Sequence, residues 1–187
     1  GQVKEALEEI PAFARGNPAA AFDADMLLRQ ANETAKSDPK RAKKDYERIL
    51  ASFPHAPAAA EARFRLGEMA LAQGDASSAA EHHRRALDDG LAGELRAQAH
   101  DRLGNIAFRE KNYRAAARHF DEAASGDAPR EMRPMLLYFA GVSYEQEKMK
   151  EEARQRYLDF VAALPDRREM QDEQIRAALF LQREGQA

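Results

Sequence analysis

Apolar and small side chains recur along this chain at helical spacing. In Ala116-x-x-x-Phe120-x-x-Ala123 the offsets are four and three, so the three side chains share one helix face. Upstream, Leu103-Gly104-Asn105-Ile106-Ala107-Phe108 carries a second apolar stripe, and the polar break Arg109 to Asn112 separates the two. This pattern predicts a helix, a tight turn and a second helix. No segment shows the strict apolar–polar alternation of a half-buried strand.

The same pattern returns every 37 residues. Ala42, Ala79, Ala116 and Ala153 keep step, and so do Tyr46, His83, Phe120 and Tyr157. Leu66-Gly67, Leu103-Gly104 and Ala140-Gly141 keep step on the first helices. Self-similarity at such a period marks a repeat architecture. A small residue at Gly104 or Ala116 lets two helices approach closely, and Phe120 fills the space beside that contact. Asp38, Asp75 and Asn112 stand one period apart, each just before a second helix. Their side-chain oxygens suit N-caps, and Pro39 fits a first helical turn. Met149 occupies the fourth of these positions and offers no cap.

The register gives units at about 21–53, 57–90, 94–126 and 130–164, with flanking helices at about 2–16 and 169–183, all in one domain over 1–187. In the first flanking segment, Ala6-x-x-x-Ile10-x-x-Phe13 followed by Pro18 copies a second helix without its own first helix. Either the chain begins inside a longer one, or this is an N-terminal capping helix. Glu169 to Arg183 is expected to act as the closing cap that stacked repeats require.

A small residue after Leu, an Ala-x-x-x-aromatic second helix and closing prolines at Pro54 and Pro165 resemble tetratricopeptide repeats. The chain departs from that family in having no Trp, in Leu91 and Ala128 at the middle closing positions, and in a period longer than the usual ~34 residues. The longer period resembles tetratricopeptide domains of bacterial cell-envelope proteins. The resemblance implies an all-α, right-handed α–α superhelix whose first helices line a concave groove. It places Glu61, Phe64, Glu68 and Leu71 in the groove from the second unit. From the third it places Gln98, Asp101, Asn105, Phe108 and Arg109, and from the fourth Met135, Tyr138, Val142 and Glu145. For Phe64 and Tyr138 the alternative is packing between repeats. Family members that clamp a C-terminal carboxylate use basic residues at several of these places. Asn105 matches one of them, but Asp101 and Glu68 carry the wrong charge.

Composition narrows the function. The formal charge is −3, from 32 acids and 29 bases, which gives no bulk attraction to nucleic acid. No apolar run approaches the roughly 20 residues that span a bilayer, so no membrane insertion is expected of this segment. The absence of cysteine excludes thiolate ligands and a cysteine nucleophile. There is no phosphate loop, paired-histidine zinc motif or serine elbow, so no catalytic residue, cofactor or metal ligand is assigned. His82 and His119 hold equivalent positions, where a metal could bridge them; the plainer reading leaves both solvated, with His83 in the aromatic slot. The expected function is a non-catalytic scaffold that binds a partner protein or peptide. The alternatives are self-association into a homo-oligomer and a metal-dependent enzyme built on the helical stack. The compartment is open between the bacterial envelope, through an anchor upstream of Gly1, and the cytoplasm.

Overall fold

Alanine, glutamate and arginine dominate the chain and β-branched residues are scarce, a composition that favours helix throughout. A computed structural model describes residues 18–126, 128–164 and 170–185, and among these it contains helices and no strand. The helices are α1 (Pro18–Thr34), α2 (Pro39–Ser52), α3 (Pro57–Ala72), α4 (Ala76–Asp88), α5 (Gly93–Arg109), α6 (Tyr113–Ser125), α7 (Arg133–Gln146), α8 (Lys150–Ala163) and α9 (Gln171–Glu184). The fold is all-α and built from helix hairpins. The helix expected over 2–16 lies outside the described residues, as does Pro165. Pro18, the closing proline of that segment in the sequence reading, is the first residue of α1. The second helices α2, α4, α6 and α8 begin at Pro39, Ala76, Tyr113 and Lys150, which reproduces the 37-residue step.

The turns inside the hairpins explain how that step is kept. Gly74, Lys111 and Lys148, one period apart, all take positive φ, at 78°, 61° and 60°. The next residue then bonds back to the first helix: Asp75 N–H to Ala70 O at 3.0 Å, Asn112 N–H to Ala107 O at 2.9 Å, and Met149 N–H to Tyr144 O at 3.0 Å. This left-handed closure satisfies a carbonyl that the helix end would leave unpaired. The same residue opens the second helix. Asp75 accepts from Ser78 N–H at 2.9 Å and Asn112 accepts from Ala115 N–H at 3.3 Å. Asp38 does likewise for Arg41 N–H at 3.0 Å. Met149 keeps the backbone bond but makes no side-chain cap. Met149→Asn is therefore expected to stabilise the protein by about 1 kcal/mol, within the range of measured caps. A urea denaturation midpoint that does not rise would show that α8 gains nothing from a cap.

The chain divides into two compact units, Gly1–Leu91 and Ala92–Ala187. In the first, Ala24, Leu28 and Ala31 of α1 pack with Ala42, Tyr46 and Ile49 of α2 and with Ala58, Ala59, Ala62 and Leu66 of α3. In the second, Phe120 and Ala123 of α6 pack with Leu136 and Ala140 of α7. Tyr157 and Phe160 of α8 pack with Tyr138 and Val142 of α7 and with Ala177 and Phe180 of α9. Phe108, Leu137 and Phe139 border both of these clusters and so join them.

Within each of three hairpins a ring presses on a glycine. A Cβ added at Gly104 would lie 2.7 Å from the Phe120 ring, one at Gly67 2.7 Å from the His83 ring, and one at Gly141 3.0 Å from the Tyr157 ring. All three rings are fully buried. The glycine lets the second helix settle its ring against the backbone of the first. His83 thus fills the aromatic slot of its hairpin, 5.2 Å from the Phe64 ring. The first hairpin lacks the glycine, since Gln30 stands one period before Gly67. There the Tyr46 hydroxyl donates to Asn32 Oδ1 at 2.7 Å instead. Val161, next to the buried Phe160 on α8, is 40% exposed. One step past Phe160 turns a side chain by about 100°, which carries it off that face.

Candidate interaction groove

In the first unit, the groove positions on α3 are mostly engaged. Phe64 is 1% exposed and belongs to the core. Glu61 accepts from Asn32 Nδ2 at 3.1 Å and from Arg65 Nη2 at 2.9 Å. Glu68 Oε1 stands 3.5 Å from His83 Nε2. Leu71 is half-buried.

In the second unit, α5 presents a polar row. Asn105 Nδ2 donates to Asp101 O at 2.9 Å and to Asp101 Oδ1 at 2.8 Å, and Arg102 Nη1 donates to Asp101 Oδ2 at 2.7 Å. Gln98 Nε2 donates to Glu94 Oε1 at 2.8 Å. Arg109 is exposed. Phe108 is half-buried, with its ring edge-on to Tyr113 at 5.2 Å and to Phe139 at 6.2 Å. On α7, Met135 is 40% exposed, whereas Tyr138 is 9% and Val142 5% exposed. Phe64, Tyr138 and Val142 are therefore corrected from groove contacts to core positions. Phe64 packs on His83, and Tyr138 and Val142 pack with Tyr157, Phe160 and Phe180, contacts that the 37-residue step alone does not encode.

An open surface remains along α7 and α9. Glu145 is its polar hub: it accepts from the Tyr157 hydroxyl at 2.7 Å, from Arg176 Nη2 at 3.4 Å and from Arg183 Nη2 at 3.4 Å. Burial, reinforced by the Glu145 hydrogen bond, pushes the Tyr157 phenol far above its ordinary range, so it stays a donor. Two neighbouring depressions of about 280 and 380 Å³ share Glu145, Phe180 and Arg183 in their walls. Beside them Ile175 and Leu179 are 58% and 61% exposed, four residues apart on one face of α9. The sequence reading treated α9 as a cap and missed this pair. The signal was present: Ile175 and Leu179 fall 37 residues after Tyr138 and Val142. In the same unit, Asp121 accepts from the Tyr144 hydroxyl at 2.7 Å and from Arg156 Nε at 2.6 Å. Burial and the Asp121 bond push the Tyr144 phenol up to about 12. This network ties α6, α7 and α8 together.

His83 takes the aromatic slot expected of it, whereas His82 and His119 are half-buried rather than solvated. His119 lies beside His100 of its own hairpin, with the two Nδ1 atoms 3.2 Å apart. Among the described residues, no group of three or more His, Asp or Glu side chains is placed to hold a metal ion. No helix among them is long and apolar enough to cross a membrane.

Comparison with known proteins agrees with the helix-hairpin fold. Residues 35–94 match the tetratricopeptide repeat family model. No curated protein matches the sequence. Among solved structures, MamA 41-end from Desulfovibrio magneticus RS-1 superposes with a TM-score of 0.58 at 15% identity, covering 88% of this chain and 97% of that one. The MamA RS-1 ArsTM double mutant gives a TM-score of 0.59 at 14% identity, covering 86% and 93%. At these identities the likeness concerns the fold.

Proposed function

From the premise that this chain is a tetratricopeptide-repeat protein, we propose that it is a non-catalytic scaffold whose second unit holds a partner protein's amphipathic segment along α7 and α9. Ile175 and Leu179 carry this reading: two large apolar side chains, both more than half exposed, beside depressions lined by Phe180. Paired charges surround them. Glu145 engages Arg176 and Arg183, and Glu184 engages Lys150 at 2.8 Å. An apolar centre inside a polar rim is the usual anatomy of a protein interface, and apolar anchors spaced by one turn suit a helix or an extended segment. Met135 and Arg109, with the half-buried Gln98, Asp101 and Asn105, extend the surface along α7 and α5.

Ile175→Asp/Leu179→Asp is expected to weaken partner binding at least tenfold while circular dichroism stays helical. The partner is first identified by affinity capture with the wild-type chain and then measured by calorimetry against both forms. Equal affinity for the two would remove α9 from the binding surface.

One observation favours a second reading, self-association. Phe22 and Met26 of α1, 64% and 52% exposed, form another apolar pair four residues apart. Docking of α1 from one copy onto α9 of the next would be a heterologous contact. Light scattering across a wide concentration range decides this: a constant single-chain mass contradicts self-association, and a rising mass that Phe22→Asp/Met26→Asp abolishes supports it.

A further inference from the structure

One cluster of metal-ligating side chains plays no part in the groove. His100 in the middle of α5 and His119 in α6 face each other across their hairpin, with ring centroids 5.4 Å apart and planes tilted by 40°. The same ring nitrogen, Nδ1, converges from both sides to 3.2 Å. One turn before His100, Arg96 reaches over to Glu122, three residues after His119, and the two form an ion pair at 2.8 Å. The hairpin is fixed immediately beside the pair, because Phe120, next to His119, is locked over Gly104.

A single shared proton explains a 3.2 Å contact between two imidazoles, but so does a chelate. Nitrogens bound to a metal at 2.0–2.1 Å stand about 3.3 Å apart at a tetrahedral angle and about 2.9 Å apart at a right angle. The observed spacing falls between these values with no movement of either helix. We propose that His100 and His119 form a two-histidine site for a divalent first-row transition metal ion of the class that imidazole prefers, Zn²⁺, Ni²⁺ or Cu²⁺.

Binding needs two rearrangements. With ring centroids 5.4 Å apart and nitrogens 3.2 Å apart the rings lie nearly end to end, so both must turn before their lone pairs converge on one ion. The ring that carries its proton on Nδ1 becomes the Nε2–H tautomer, so both Nδ1 lone pairs face the ion and no net proton is released. The Glu122 carboxylate offsets the Arg96 guanidinium, which would otherwise oppose a cation. Water completes the coordination. The ion would cross-link α5 to α6 and raise the melting temperature, because it binds the folded hairpin and not the separated helices.

The test uses the full chain without a histidine tag and Zn²⁺ as the probe. Calorimetry is expected to show one saturable equivalent, and the melting temperature is expected to rise with Zn²⁺ and to return to its starting value with chelator. His100→Gln and His119→Gln should each weaken binding at least tenfold and abolish the thermal shift, whereas His55→Gln and His82→Gln leave both unchanged. In the wild-type chain, imidazole ¹⁵N spectra should move at Nδ1 of His100 and His119 on adding Zn²⁺, a readout that requires no variant to fold. Absence of saturable binding, unmoved His100 and His119 resonances, or full affinity in His100→Gln/His119→Gln would overturn the site.

Discussion

Phe120→Ala is expected to destabilise the protein by about 3–5 kcal/mol, the range for removing a buried aromatic ring. The ring is 0% exposed, lies over Gly104 of α5 and stacks on Phe139 of α7 at 5.6 Å. It therefore belongs to its own hairpin and to the contact with the next one. Removing it opens a cavity between three helices, and helices that already meet through glycine and alanine have little side chain with which to fill it. Against a typical total stability of about 5–15 kcal/mol, such a loss leaves a marginal fold. Truncating the exposed Val161 is expected to cost under about 0.5 kcal/mol. Urea denaturation of both variants is the check; a loss below about 1 kcal/mol for Phe120→Ala would mean that the ring is not the keystone of the hairpin.

Gly104→Ala is the second large effect, and its sign is the informative part. In an exposed helix interior, alanine is favoured over glycine by about 1 kcal/mol. At Gly104 the new Cβ meets the Phe120 ring at 2.7 Å, a distance that forces ring or backbone to shift. The expected result is a destabilisation of about 1–3 kcal/mol, the usual cost of overpacking. Gly141→Ala, with 3.0 Å to the Tyr157 ring, should lose less. In Gly104→Ala/Phe120→Leu the two losses should be less than additive, because the smaller side chain makes room for the methyl group. A stabilised Gly104→Ala protein would show that the close approach does not limit packing.

Much of the fold was legible in the sequence because its repeating chemistry is local. Asp38, Asp75 and Asn112 could be read as caps since a cap depends only on residues within one turn. The small–aromatic pairs Gly67–His83, Gly104–Phe120 and Gly141–Tyr157 were legible because one period fixes them all. The groove was harder to read. Exposure on a first helix depends on which side chains of neighbouring helices cover it, and several helices contribute to that together. Tyr138 and Val142 are covered by side chains of α8 and α9, while Ile175 and Leu179, in the same register on α9, are exposed. The His100–His119 pair escaped notice because the two residues hold unrelated positions in the repeat, and only the hairpin brings them together. The start of α7 also differs from the expected boundary near residue 130. Pro129 O accepts from Met132 N–H at 3.0 Å and forms a turn that delays the helix to Arg133.

The central claim is that a ring from each second helix rests directly on a first-helix glycine in three hairpins at a constant 37-residue step. Nuclear Overhauser spectroscopy on the labelled full chain reads those contacts one by one. The account predicts cross-peaks from the Hα protons of Gly67, Gly104 and Gly141 to the ring protons of His83, Phe120 and Tyr157. Their absence from assigned spectra of the folded protein would contradict it.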